Sequence, residues 1–212
     1  MVHHGRKCIF IHIIKTAGTS IRANLGKEKE QIKCGGHLTA KRIKKQVSEA
    51  TWENYFKFSF VRNPWGKMVS QWWYNGHPKV RGKIIYKSKV RTFKEYILYF
   101  GEGGRISTNN PRCTPWLVDD SGKILVDFVG RFENLEEDFN FICQQLTPLK
   151  HEEDKSWPPK LPHRNQSKRK HNGGNEWTDK PYQDYYDDET KEIIAREFED
   201  DINLFGYKFE ND

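Results

Sequence analysis

A lysine, two threonines, a glycine and a serine stand together in Lys15-Thr16-Ala17-Gly18-Thr19-Ser20, directly behind the apolar run Lys7-Cys8-Ile9-Phe10-Ile11-His12-Ile13. A loop that leaves a buried strand and opens a helix aims several backbone N–H groups at one point, where the helix dipole adds positive potential, so such a segment binds anions. Gly18 lets the backbone come close, the hydroxyls of Thr16, Thr19 and Ser20 add donors, and Lys15 brings a full charge. The spacing is not that of a Walker A loop, GxxxxGK[ST], whose lysine follows the glycine turn. Here the lysine precedes the turn, a position suited to neutralising charge on a leaving oxygen. A second basic group, Arg62, ends the run Phe56-Lys57-Phe58-Ser59-Phe60-Val61, and Ser70 lies eight residues further on. With Pro64 opening a helix, both can face the C-terminal edge of a sheet, where α/β folds bind ligands, and offer a place for a second phosphate. The plainer alternative pairs Arg62 with a carboxylate and leaves Ser70 on a helix surface.

These groups need a scaffold, and the hydrophobic pattern supplies one. Lys7–Ile13 is almost wholly apolar and reads as a central strand buried on both faces of a parallel sheet. Ile21–Leu25 then reads as helix, with Thr19 or Ser20 as its N-cap. Leu38–Ala50 is expected to be one basic amphipathic helix, with Thr39 available as its cap, and Phe56–Val61 a second strand. Trp65–Tyr74 is expected to be helical, with core as the leading role for Trp65, Trp72 and Trp73. Thr92–Phe100 is a helix whose Phe93, Ile97 and Phe100 share a face. The turn Asp119-Asp120-Ser121-Gly122 leads into a strand over Lys123–Gly130, and Asn134–Gln145 and Asp188–Leu204 are helices. The stretches His77–Arg91, Gly101–Asn110 and Lys150–Lys180 read as loops. Strands alternating with helices imply an α/β three-layer sandwich around a parallel sheet, formed as a single domain over residues 1–212.

At this point the chain resembles a known family. Ile11–Ser20 is similar to the 5′-phosphosulfate loop of the sulfotransferases that use 3′-phosphoadenosine 5′-phosphosulfate (PAPS). Phe60–Pro64 with Ser70 is similar to their 3′-phosphate site, and Val129-Gly130-Arg131-Phe132-Glu133-Asn134-Leu135 to their third block. Leu161–Ser167, and the ending from Tyr185 to Tyr207, resemble the family's C-terminal pattern. The likeness is greatest to the carbohydrate branch, which includes the heparan 2-O-sulfotransferases and small bacterial members. One departure is Ile14, where the family has proline; without proline's fixed φ the loop entrance is expected to be less rigid.

The resemblance implies a P-loop-like fold, PAPS as donor and a hydroxyl acceptor, in particular a carbohydrate. It places Lys15 and the loop through Ser20 on the 5′-phosphosulfate, and Arg62 with Ser70 on the 3′-phosphate. No metal is required. The base should be a histidine, since its pKa suits proton abstraction near neutrality, and the chain has eight. His37, in Cys34-Gly35-Gly36-His37, matches the Gly-His element that resembles the family's catalytic histidine. His163 is the second choice and Glu133, otherwise paired with Arg131, the non-histidine alternative. His12 reads as a satisfied core histidine, and His3 and His4 as a frayed terminus. The basic stretch Arg164–Gly174 reads as a lid over the nucleotide, a track for an acidic acceptor or a plain loop, with Asn165 and Ser167 its candidate contacts.

Charge is uneven. Residues 1–100 carry 21 basic and 5 acidic side chains, whereas residues 184–212 carry 3 and 11, within an overall charge of +7. An anionic partner for the first half follows, whether nucleotide, acidic glycan or nucleic acid. A small-molecule kinase would need a Walker lysine and a metal-binding aspartate, and a nucleic-acid-binding domain a recognisable motif; neither is found. The apolar run ending at Ile14 is too short for a membrane span and has no cleavage site behind it. Four well-separated cysteines give neither a zinc pattern nor a disulfide framework. A cytoplasmic enzyme is expected, or a Golgi luminal one if the chain is an excised catalytic domain.

Overall fold

The apolar runs pair side by side in the computed structural model, which describes residues 1–25, 37–76, 92–107, 109–146 and 180–210. By their contacts the described residues fall into two compact units, one drawn from Met1–Arg62 and Cys113–Arg164, the other from Asn63–Arg112 and Asn165–Asp212.

The first unit is a mixed sheet with helices. Its strands are β1 (Val2–His3), β2 (Cys8–Ile11), β3 (Phe56–Val61) and β4 (Phe128–Arg131), hydrogen-bonded in that order. β2, β3 and β4 are parallel, with Cys8 opposite Phe56 and Phe58 opposite Phe128, while β1 is an antiparallel edge. The helices are α1 (Gly18–Asn24), α2 (Ala40–Lys44), α3 (Glu49–Asn54), the short α6 (Thr114–Leu117) and α7 (Leu135–Gln145). Phe10, Phe58 and Phe60 of the sheet close on Ile21 from α1, on Leu25 just after it, and on Phe139, Ile142 and Cys143 from α7.

Several expectations change here. His3 and His4 are not frayed: β1 holds His3 fully buried, the terminal ammonium donates to the Phe10 carbonyl at 2.7 Å, and His4 Nδ1 meets the Tyr55 hydroxyl at 2.8 Å. The single helix over Leu38–Ala50 is two helices, because Ser48 accepts from the Thr51 amide at 3.2 Å and caps a fresh start; Thr39 does cap α2. The strand over Lys123–Gly130 shrinks to β4. Asp127 caps the β3 entrance instead, accepting from the Lys57 amide at 2.7 Å and pairing with the Lys57 ammonium at 3.0 Å. Ile124 meanwhile bridges back to Val118 around the Asp119–Gly122 turn, where Gly122 takes a φ of 84° that favours glycine.

The second unit is helical among its described residues. It comprises α4 (Pro64–Gln71) with a π-helical turn at Trp72–Gly76, α5 (Phe93–Gly101), α8 (Asp188–Glu197) and α9 (Glu199–Phe205). The helix expected over Asp188–Leu204 breaks at Phe198, which buries completely against Phe100 and leaves the helical φ/ψ region. Trp65 and Trp72 are core, as read, with Met68, Tyr96, Ile97 and Ile194. Asn63 is the tie point of this unit. Its side-chain oxygen caps α4 by accepting from the Trp65 amide at 3.1 Å, and its amide nitrogen donates to the Tyr182 hydroxyl at 3.1 Å and the Lys208 carbonyl at 3.0 Å. No helix among the described residues is long and apolar enough to cross a membrane.

Asn63→Ala removes a helix cap and two part-buried hydrogen bonds from a buried side chain, so it should lower stability by about 1–3 kcal/mol, read as a reduced urea midpoint.

Candidate functional site

The end of β2 and the end of β3 are neighbours because the strands run parallel with Ile11 opposite Ser59 and the Ser59 hydroxyl donating to the Ile11 carbonyl at 2.8 Å. Whatever follows Ile11 and Val61 therefore emerges at one sheet edge. Lys15 follows one and Arg62 the other, and an Arg62 guanidinium nitrogen donates to the Lys15 carbonyl at 3.4 Å. Arg62 is held from its other side by the Phe132 ring, whose centroid is 3.9 Å from the guanidinium carbon, a cation–π stack that leaves the planar fork oriented.

The loop between β2 and α1 is tightly wound. Lys15 and Ala17 both sit in the left-handed region, at φ 63° and 61°, a conformation costing a non-glycine residue about 1 kcal/mol or more. Alternation of this kind turns successive N–H groups toward one concavity, the backbone arrangement that cradles anions. The Thr16 hydroxyl is buried and donates to the Ile13 carbonyl at 3.0 Å, so Thr16 braces the loop and has only its amide to offer a ligand as donor. Thr19 is exposed and Ser20 is buried in the first turn; neither caps α1, whose N-cap is Ala17 with no side-chain bond. Gly18 is not a positive-φ glycine. A Cβ there would lie 1.9 Å from His12 Cδ2, so the ring of His12 occupies the space a side chain would need.

His37 stands beside this loop. Its Nδ1 is 2.9 Å from the His12 carbonyl, which can only accept, so Nδ1 carries the proton and the neutral ring keeps a lone pair on Nε2. Its ring lies 4.5 Å from that of His12 and edge-on to Trp116 at 6.2 Å. The expectation that His12 is a satisfied core histidine is corrected: it stands beyond the end of β2, and its buried Nδ1 has no hydrogen-bond partner. Burial first, and then the charges of His37, Arg22 and the N-terminus, lower its pKa to about 3.

Lys15, Thr16, Ala17, Gly18, Thr19, Ser20, His37 and Arg62 are thus brought to one place within the first unit. Ser70 lies half-buried on α4 in the second. His163, Asn165, Ser167 and the Arg164–Gly174 stretch lie outside the described residues, as does Cys34. Two contributors escaped sequence reasoning. His12 looked like one more strand residue, and Phe132 carried a signal only as part of the block Val129–Leu135.

A profile described as the Sulfotransferase family matches residues 1–208. The chain belongs to the sulfotransferase family and is a transferase of sulfuryl groups. It is 31% identical over 106 residues to an uncharacterized protein of Archaeoglobus fulgidus, a match spanning 49% of this chain and 78% of that relative. No solved structure matches it.

The depressed pKa of His12 has a consequence for stability. From pH 6.5 down to about 3 the unfolded chain binds a proton at His12 that the folded chain refuses, so stability is full above 6.5 and falls through that window. Urea unfolding between pH 7 and 4 should show a smaller loss for His12→Phe than for wild type.

Proposed function

We propose that this sulfotransferase moves the sulfuryl group of PAPS to a hydroxyl of a carbohydrate acceptor, with His37 as general base, on a three-layer, P-loop-like fold. The observation that carries the reading is the His37 Nδ1–H bond to the His12 carbonyl, which presents a basic Nε2 beside an anion-binding loop. The residues also fit the donor. The concave backbone with Lys15 matches a 5′-phosphosulfate, and Arg62, stacked on Phe132, matches a phosphate, which its planar fork binds in bidentate fashion. Ser70 is assigned to the 3′-phosphate, and Asn165 and Ser167 to the nucleotide, on the strength of the family resemblance alone.

PAPS, when bound, supplies the activated sulfuryl group attached to a phosphate leaving group. His37 Nε2 takes the proton of the acceptor hydroxyl as its oxygen bonds to sulfur, and the resulting imidazolium is held through a strengthened Nδ1–H bond to the His12 carbonyl. Lys15 and the loop amides stabilise the charge that develops on the bridging oxygen as the sulfur–oxygen bond breaks. Because these donors are fixed before substrate arrives, little reorganisation is needed during transfer. A carbohydrate acceptor is supported by the resemblance to that branch and by the basic first half of the chain, which suits an anionic glycan.

Calorimetric titration tests the donor. 3′-Phosphoadenosine 5′-phosphate (PAP) should bind better than ATP, and Arg62→Ala should weaken it about 10- to 100-fold. No binding, or binding indifferent to Arg62, would overturn the assignment. With an acceptor in hand, His37→Ala should lower kcat about 10²- to 10⁴-fold with PAP affinity within about threefold of wild type.

A further inference from the structure

We propose that His12 is a positioning residue that locks the base to the phosphate loop: its ring fills the space beside Gly18 and lies against His37, while its carbonyl fixes the His37 tautomer. The inference rests on the reading of His37 as base. Three contacts define the wedge. The His12 ring stacks on Phe10 with centroids 5.6 Å apart and planes 17° apart, which sets its tilt. Its Cδ2–Nε2 edge is seated at Gly18, where a Cβ would lie 1.9 Å from Cδ2 and 2.0 Å from Nε2. Its remaining side meets His37 at 4.5 Å. One side chain therefore touches both the turn that opens the anion site and the ring proposed to accept the proton.

The choice of histidine there works against stability. A phenylalanine would fill similar space without burying a ring nitrogen that finds no partner, and an unsatisfied buried polar atom is costly. Leaving a lone pair unmet costs less than leaving an N–H unmet, so the buried Nδ1 is the unprotonated nitrogen and the proton of His12 sits on Nε2, at the Gly18 edge. Desolvation, with the charges of His37, Arg22 and the N-terminus behind it, keeps the ring neutral, so His12 does not compete for the proton that His37 takes. His12 thereby fixes where the base stands and leaves the base alone to ionise.

The test compares wild type, His12→Ala, Gly18→Ala and the double variant by PAP titration, thermal melting and long-range ¹H–¹⁵N NMR of the His37 ring. Gly18→Ala should weaken PAP about tenfold, because its Cβ collides with the His12 ring, and the double variant should regain most of that loss, because the collision partner is gone. His12→Ala keeps the carbonyl but removes the ring that holds His37 against it, so His37 should show the Nδ1–H tautomer in wild type and a mixture in His12→Ala. Equal harm from Gly18→Ala with and without the His12 ring, or an unchanged His37 tautomer in His12→Ala, overturns the proposal. If Gly18→Ala does not fold, folding of the double variant supports the wedge and its failure to fold overturns it. A wild type that does not bind PAP defeats the donor assignment, while melting and the His37 tautomer still decide the wedge.

Discussion

Everything at the site depends on the parallel pairing of Cys8–Ile11 with Phe56–Val61. Because the strands run the same way in register, their ends are delivered to one edge, and two segments far apart in sequence meet there without further cost. The Ser59 hydroxyl on the Ile11 carbonyl holds that register near its end. A slip by one residue would turn Phe58 and Phe60 away from α1 and α7 and move Arg62 relative to the Lys15 carbonyl, so core and site share one constraint. Burial of the phenylalanines thus sets the geometry of the cationic groups.

Much of this was legible from residue order. The strands Cys8–Ile11 and Phe56–Val61 announced themselves as short aromatic and β-branched runs, and the loop proposed to hold an anion as a glycine and hydroxyl cluster behind the first. The helix cap Thr39 follows from local hydrogen bonding that the sequence carries on its face. What stayed hidden depends on contacts between distant residues. Nothing near Lys123 states that Asp127 will turn to the Lys57 amide, and nothing near Val2 states that the first residues will add an edge strand. Gly18 looked like a residue that lets the backbone come close to a ligand, whereas a Cβ there would collide with a ring six positions earlier. Such demands are written in space and have no spacing signature.

The two histidines illustrate how environment divides labour between identical side chains. His12 loses its affinity for protons to burial and to its neighbours' charges, while a carbonyl on its own backbone gives the adjacent His37 a defined proton position. Stacking does the same for cations. The Phe132 face under Arg62 and the Lys15 carbonyl together orient its guanidinium within the fold.

The left-handed backbone at Lys15 and Ala17 sets stability and use against each other. Glycine at Ala17 would relieve the strain at no steric cost, and a search for thermostable variants would pick it out readily. The same relaxation would let the turn sample many shapes, so a ligand would have to bear the entropy of ordering it. The cramped turn is a form of memory: in the conformations it denies itself the folded chain retains one fixed outline, that of the anion proposed for it, and the hydrophobic core beneath supplies the energy that keeps that outline open.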